Sequence, residues 1–383
     1  MSNDKIETQE KKVEYLELIY DLIFVYLIGR NNSILQYVED GFVPWSVFLS
    51  YILCMLAIIQ IWNFTTFYIN LYGRNGIRDH VFLFVNMFLL YHMADGIHTG
   101  WQSRFYQFCI AWALILANIG LQHIIEMRYH RDEPRVLEML RRKSGIIMVE
   151  VLLVLVHMFV FSRTGISIAY VPILFGIAAT ALSGKVNMLV PVDFPHLSER
   201  AMLYVVFTFG EMVISITGYF ENGIEPTSLY FSTMAFLIVA GLFLSYEVVY
   251  NRIIDRNMTT NGTGYMMIHV FLIFALNNIS VALEFMRNDG VALLPKVMFI
   301  TGSFVVYFIC LFLLGLFSKK CCRFNRKFRM MIILSGAGFF ALMFVFMRNM
   351  YMNIAISVIF VMAVFLILFK KSREAGENEG LEL

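Results

Sequence analysis

The stretch GIIMVEVLLVLVHMFVFS, residues 145–162, carries one formal charge, Glu150, in a mostly apolar run. A helix needs about 20 mostly apolar residues to cross the hydrocarbon core of a bilayer, so this stretch predicts a transmembrane helix. Similar stretches recur on both sides of it and predict an all-α transmembrane bundle of twelve spans. They lie near residues 15–36, 43–68, 79–97, 101–126, 145–162, 166–183, 198–218, 228–250, 264–285, 291–317, 329–347 and 351–370.

The composition of the 383-residue chain also indicates a polytopic membrane protein. Hydrophobic residues make up 59% of it and charged residues 15%, against about 25% charged residues in typical soluble domains. This composition excludes disordered, collagen-like and disulfide-scaffold proteins, and the net charge of +2 is too small for a nucleic-acid-binding face. We therefore expect membrane lipids and a small-molecule or ion substrate as partners, with no nucleic acid; a homo-oligomer stays open.

The distribution of Lys and Arg predicts the orientation of the chain, because cytoplasmic loops carry an excess of both. With a cytoplasmic N-terminus, the outer side receives only six of the 30 basic residues: Arg30, Arg104, Arg163, Arg287, Lys296 and Arg348. The basic runs 128–143 and 319–329 then lie inside. Both termini are predicted to be cytoplasmic.

Two halves of six spans each are predicted, at 14–183 and 198–371, joined by a cytoplasmic linker at 184–197. Residues 1–13 and 372–383 are predicted to be polar tails. The third and ninth spans begin alike, with HVFLF at residues 80–84 and HVFLI at residues 269–273. This short match suggests parallel repeats, although apolar segments also resemble one another by composition alone.

Carboxylates lie inside several predicted spans, where a charge costs at least ~2.5–3.5 kcal/mol, and Glu17, Asp21 and Glu211 are the main candidates among them. Glu17 and Asp21 are spaced i,i+4, which puts both on one helix face. Taken from the flanking basic residues, Asp21 and Glu211 lie near the midplane of the bilayer. Such groups line a substrate or ion path or are held in structural pairs with a neighbouring helix, and the sequence leaves both interpretations open.

Other polar residues in the spans are secondary candidates for the same path. For the histidines and asparagines among them, ordinary hydrogen bonding between helices is the alternative interpretation. Glu150 and His157 share one helix face at i,i+7. Motifs for nucleotide binding, metal-dependent hydrolysis or a serine nucleophile are not found, and we expect no catalytic residue, metal or cofactor. The secondary candidates are Asn63, His80, Glu150, His157, Glu247, His269 and Asn277.

The motif-bearing spans resemble the bacterial low temperature requirement A (LtrA) family. Residues 17–25, ELIYDLIFV, resemble the ELFFDLVFV signature of that family, and residues 196–211 resemble its HxxERxGLFxIIxLGE segment. Met202, Tyr204 and Phe209 depart from the second pattern, but no charged position does. The resemblance implies a protein of the bacterial inner membrane. The charged residues and the histidine in its two motifs are Glu17, Asp21, His196, Glu199, Arg200 and Glu211.

Three functions compete. The first is a secondary transporter, proton-coupled, in which Asp21 and Glu211 carry charge and Glu17, His196, Glu199 and Arg200 form a cytoplasmic vestibule. The second is a proton or cation channel lined by the first and seventh spans. The third is an intramembrane enzyme acting on a lipid, and we rank it below both transport hypotheses.

Overall fold

A computed structural model describes residues 11–97, 101–187, 189–220 and 223–377. Residues 1–10 and 378–383, most of the two predicted tails, lie outside the described residues. The described chain is helical, with two isolated β-bridges and no strand. Its helices are α1 (Tyr15–Asn32), α2 (Trp45–Tyr72), α3 (Ile77–Asp95), α4 (Trp101–Glu126), α5 (Pro134–Thr164), α6 (Tyr170–Leu182), α7 (Gly184–Asn187), α8 (Phe194–Ser215), α9 (Pro226–Val248), α10 (Thr263–Arg287), α11 (Leu293–Leu313), α12 (Arg326–Val345) and α13 (Met350–Glu377).

Nine of the helices in the described chain are long and apolar enough to cross a membrane: α2, α4, α5 and α8–α13. Three predicted spans correspond to helices outside this group, α1, α3 and α6. Helix α1 carries Glu17, Asp21 and Arg30 within 18 residues, and α6 has only 13 residues. The all-helical membrane architecture is confirmed, whereas the count of twelve spans and the orientation of the termini stay predictions.

Helix ends follow the local sequence. Pro134 and Pro226 stand in the first turns of α5 and α9, where the missing N–H of proline costs no hydrogen bond. Asn325 caps α12, its side chain accepting a 2.8 Å hydrogen bond from the Phe328 amide. Gly165, with φ of 69°, ends α5 in the left-handed conformation that suits glycine. The predicted linker 184–197 contains α7 and the first turn of α8, and α13 continues past residue 372.

The described residues form two compact units, each assembled from separate parts of the chain. The first contains residues 11–27, 56–203 and 256–264, with the gaps given above. In it, α4 packs on α3 and α5, and α6 packs on α5. Phe105 of α4 stacks on Phe161 of α5 with ring centroids 3.8 Å apart, and the indoles of Trp62 and Trp112 are fully buried. The division into halves at 14–183 and 198–371 stays a prediction.

The second unit contains residues 28–55, 204–255 and 265–377. Helix α9 packs on α13, and α11 and α13 pack on α12. An apolar cluster joins the start of α2 to the end of α10. Its buried members are Leu35, Val43, Tyr51, Val281, Phe285 and Val291.

Candidate functional site

A buried ion pair joins α1 to α8 in the first unit. Asp21 and Arg200 are both fully buried, and Arg200 Nη2 donates to Asp21 Oδ1 at 2.5 Å. Arg200 Nε lies 3.4 Å from Asp21 Oδ2, so the guanidinium meets both carboxylate oxygens. The indole N–H of Trp62 donates to Asp21 Oδ1 at 2.8 Å. Because an isolated ion is costly in an apolar interior, this pairing is what allows either charge to be buried.

Glu17 lies one helical turn before Asp21 and shares the same cation. Its Oε2 atom is 3.4 Å from Arg200 Nε and 3.3 Å from His196 Nε2. The i,i+4 spacing therefore brings both carboxylates of α1 to one guanidinium, as the sequence predicted for a common helix face. We refer to Glu17, Asp21, His196 and Arg200 as the Arg200 cluster.

The tautomer of His196 follows from its neighbour Asn70. The Asn70 amide donates from Nδ2 to the Asp193 carbonyl at 2.8 Å and accepts at Oδ1 from the Asp193 N–H at 3.1 Å. Its Nδ2 group also lies 3.0 Å from His196 Nδ1. Since Asn70 is the donor there, His196 Nδ1 accepts, and the ring proton lies on Nε2, which faces Glu17.

A cavity of about 360 Å³ leads to the Arg200 cluster. Glu17 is its most deeply buried acid, with 4% of its surface exposed. His80 of α3 also lines this cavity, and its Nδ1 donates to the Gly76 carbonyl at 2.8 Å. The cavity makes Glu17 the member of the cluster that solutes reach first. Its lining comprises Lys11, Lys12, Glu14, Leu16, Glu17, Ile69, Gly73, Arg74, Asn75, Asp79, His80 and Leu83.

Lys11 closes one wall of this cavity. Its ammonium donates to the carbonyls of Ile69 and, at 2.8 Å, Gly73, at the C-terminal end of α2, where a cation is favourable. Burial lowers the pKa of Lys11 from its ordinary value, and the negative charges of Glu17 and Asp193 offset part of this shift.

Two residues of the second motif lie outside the Arg200 cluster. Glu199 of α8 is partly exposed, and no ion pair within the described chain involves it. Glu211 belongs to the second unit, where its Oε1 lies against α1, so that a Cβ at Gly29 would be 3.2 Å from it. Glu211 Oε2 is buried and has no hydrogen-bond partner among the described residues.

The secondary candidates are distributed over both units. Asn63 Oδ1 is buried and accepts no hydrogen bond within the described residues, whereas Glu247 is exposed. His157 Nδ1 accepts the Ile168 amide at 3.2 Å, and Glu150 is bound by Gln60. In the second unit, His269 Nε2 lies 3.1 Å from the Tyr246 hydroxyl.

Asn277 of α10 belongs to a hydrogen-bonded group of the second unit. Its Oδ1 accepts from Asn32 Nδ2 at 3.2 Å, and its Nδ2 donates to the Ile273 carbonyl at 2.8 Å. Tyr51 donates to Asn278 Oδ1 at 2.8 Å. These bonds join α10 to the end of α1 and the start of α2.

Sequence reasoning missed several residues that hold the charges in place. Trp62, Asn70 and Lys11 contact the Arg200 cluster or its cavity, yet each is an ordinary residue for its position in a span or at a span end. Another buried acid, Glu126 at the end of α4, was also missed. It pairs with Arg78, in the first turn of α3, at 2.6 Å and with Arg74, just beyond the end of α2, at 3.5 Å. The only signal for this pairing was two arginines near an acid at a predicted span end.

Comparison with known proteins agrees with the two motifs. Neither a curated protein nor a solved structure shows significant similarity to the chain. The profile of the bacterial low temperature requirement A protein (LtrA) family matches residues 12–367, which include both motifs and every residue of the Arg200 cluster. The resemblance to this family is thereby confirmed, and the chain belongs to the LtrA family of membrane proteins.

Proposed function

We propose that this protein is a proton-coupled secondary transporter of a small substrate. The observation that carries the proposal is a fully buried arginine shared by two carboxylates at the end of a cavity. Charged groups inside apolar helices are costly and mark ion or substrate paths in membrane proteins.

The charge balance of the Arg200 cluster gives it a way to couple two ligands. Two carboxylates and one guanidinium, with His196 neutral, leave one net negative charge. One proton on Glu17, or one cationic substrate group beside it, would balance this charge. Because the two cannot both occupy Glu17, proton release and substrate binding become linked at that carboxylate.

Asp21 and Arg200 have a different role from Glu17 in this mechanism. Asp21 is hydrogen-bonded to the Arg200 guanidinium and to the Trp62 indole. It therefore keeps Arg200 in place while Glu17 exchanges a proton for a cationic substrate group. Arg200 Nη1 has no hydrogen-bond partner in the described chain and remains a donor for a substrate oxygen. Glu211 is proposed as the corresponding charge carrier of the second unit.

The proposal includes a bacterial inner-membrane location and twelve spans with both termini in the cytoplasm. Helices α1, α3 and α6 would complete the count beside the nine long apolar helices. Their charged residues would then face protein or the cavity, as Asp21 does. Two parallel six-span halves and a homo-oligomer belong to the same proposal.

The direct test is proton and ion flux in proteoliposomes loaded with a pH-sensitive dye. Glu17→Gln, Asp21→Asn and Glu211→Gln are each expected to reduce the flux at least tenfold. Glu138→Gln, which changes an exposed acid at the start of α5, is the matched control and should leave the flux unchanged. Full flux in Asp21→Asn and Glu211→Gln together would reject this mechanism.

A channel is the second candidate, because the Asp21–Arg200 pair brings together α1 and α8, the first and seventh predicted spans. In the structure this pair is fully buried, and an ion passing there would have to separate it. A carrier tolerates such a barrier because it turns over slowly. Single-channel current steps would favour the channel, and a slow, saturable, electroneutral flux would favour the carrier.

A further inference from the structure

Glu150 is a buried carboxyl outside the Arg200 cluster. It lies in the middle of α5 with none of its surface exposed, and Gln60 Nε2 of α2 donates to its Oε2 at 3.3 Å. Glu150 Oε1 and Gln60 Oε1 are also buried, and neither has a hydrogen-bond partner among the described residues. Two buried oxygens without donors on one acid–amide pair indicate that this pair lacks a proton.

Helix α6 closes the third side of this pair. A Cβ atom at Gly176 would overlap both Gln60 Nε2 and Glu150 Oε2. Only glycine therefore allows the α6 backbone to approach so closely. Helices α2, α5 and α6 therefore meet at the Glu150 carboxyl group, and the α6 backbone packs directly against the Glu150–Gln60 pair.

No cation in the described chain lies close enough to balance an ionised Glu150. Helices α4, α6 and α7 pack on α5, and α2 contributes the neutral Gln60. On α5 itself, Lys143 and His157 share the face of Glu150 at a spacing of seven residues, about 10 Å along the axis. On α4, His123 lies beside Lys143. An unpaired carboxylate in this apolar interior would cost several kcal/mol, so the neutral acid is the favoured form.

A cavity begins one helical turn from Glu150. Its volume is about 40 Å³, enough for a water molecule. Phe64, Ile146 and Thr180 line it, and they lie four residues from Gln60, Glu150 and Gly176 on the same three helices. Polar residues that also line it include His123, Lys143 and Ser183, and Lys143 Nζ lies 5.1 Å from the Phe67 ring centre.

We propose that Glu150 and Gln60 form a proton-binding site in the first unit, which exchanges one proton with water through this cavity. When the acid is protonated, its O–H donates to the Gln60 carbonyl oxygen after rotation of that amide. On release, the proton leaves as hydronium through the cavity, and the amide N–H donates to the carboxylate that remains. The site goes beyond the proposed transport function, because proton binding here requires no flux.

Infrared spectroscopy of the purified protein in lipid bilayers tests the site. Near about pH 7, where an ordinary glutamate is ionised, the spectrum is expected to contain the C=O stretch of a protonated carboxylic acid. Glu150→Gln should remove the contribution of Glu150 to this band, and Asp21→Asn, which changes an ion-paired acid, should leave that contribution unchanged. Because glutamine imitates the neutral acid, Glu150→Gln is expected to keep the melting temperature of the parent protein. A parent-minus-Glu150→Gln difference spectrum that lacks this band would overturn the proposal.

Exchange and hydrogen bonding are tested separately. Transfer to D₂O should shift the band as the acid proton exchanges, and Ile146→Phe, which fills the cavity, should slow this exchange at least tenfold. Gln60→Leu should move the band to higher frequency, because the acid loses the hydrogen bond to its amide partner. This measurement does not depend on whether Glu150→Gln folds. A band that neither exchanges in D₂O nor loses intensity at higher pH would reject proton exchange. An exchange rate unaltered by Ile146→Phe would overturn the cavity route.

Discussion

At the scale of single residues, Arg200 determines how the first unit tolerates Glu17 and Asp21. One guanidinium lies within 3.4 Å of oxygens from both Glu17 and Asp21. Removing one partner of a buried ion pair leaves an unpaired charge, which commonly costs about 3–5 kcal/mol. The residues around this cation should therefore be strongly coupled in stability.

We expect Arg200→Met to lower the free energy of unfolding by about 3–5 kcal/mol, because two buried carboxylates lose their cation. Asp21→Asn alone should cost less, since Glu17 still pairs with Arg200. The double variant should lose less stability than the two single variants added together. Unfolding in detergent mixtures with increasing denaturing detergent measures all three. Additive losses would contradict a shared ion pair.

Trp62 and Trp112 provide a matched pair of buried indoles in the same unit. The Trp62 N–H donates to Asp21, whereas the Trp112 N–H has no hydrogen-bond partner in the described chain. Trp62→Phe should cost about 1.5–3 kcal/mol more than Trp112→Phe, the contribution of a hydrogen bond to a charged group. The same unfolding measurement compares the two variants. Equal losses would mean that the Trp62–Asp21 bond contributes nothing.

Lys11 gives the stability of the first unit a pH dependence of known sign. Its pKa is lower in the folded protein than in the unfolded chain, where it is about 10.4. Between these two values the unfolded chain binds more protons, so this residue makes the free energy of unfolding rise with pH. Melting temperatures from about pH 7 to about pH 10 should therefore rise relative to those of Lys11→Met. A difference that is constant or falls with pH would contradict this assignment.

Some residues of the site can be predicted from the sequence because their residue type is unusual inside a membrane span, and others cannot. Acids inside apolar stretches are rare, so Glu17, Asp21 and Glu211 could be selected without a structure. Trp62 and Asn70 could not, because a tryptophan or an asparagine in a span end gives no sign of which helix it faces. The rotation of each helix about its axis decides these contacts, and one sequence does not determine it.

At the scale of helices, some glycines lie against a neighbouring helix and others face open space. Gly176 of α6 lies against Gln60 and Glu150, whereas a Cβ at Gly145 of α5 would meet nothing within 4 Å. Alanine favours a helix over glycine by up to about 1 kcal/mol where space allows. The two glycines should therefore respond to alanine with opposite signs.

Gly176→Ala is expected to destabilise the protein by several kcal/mol, because the new methyl group overlaps a buried polar pair. Gly145→Ala should be neutral or should stabilise by up to about 1 kcal/mol. Thermal melting followed by far-ultraviolet circular dichroism distinguishes the two. If Gly176→Ala melted at the parent temperature, the close approach of α6 would be wrong.

Helix bounds were predicted best where long apolar runs end in charged or turn residues, as in α10 at Arg287. They were predicted worst where polar residues continue the helix. Helix α8 begins at Phe194 and α5 at Pro134, both before the first apolar residue of the predicted spans. Apolar length marks the part of a helix that lipid can cover, whereas backbone hydrogen bonds continue beyond it.

At the scale of the whole molecule, the basic residues predict which ends of the helices share one side of the membrane. We expect single cysteines at 137 and 325, within the two basic runs, to react with an impermeant thiol reagent only from the cytoplasmic side. Cysteines at 165 and 289 should react only from the other side. Oriented membrane vesicles of a cysteine-free variant provide the measurement. Labelling of 137 and 325 from opposite sides would contradict the predicted orientation.

Helix α6, proposed above as one of the membrane spans, has a consequence for the surrounding lipid. Its 13 residues extend about 20 Å, roughly 10 Å less than an average hydrocarbon core. Tyr170, Leu174 and Leu182 on it are exposed, so its surface is open to acyl chains rather than covered by other described helices. Hydrophobic mismatch of this kind thins a bilayer locally. Lipids with short or disordered tails should thus solvate this side of the protein best, and membrane thickness becomes a variable that acts on the first unit.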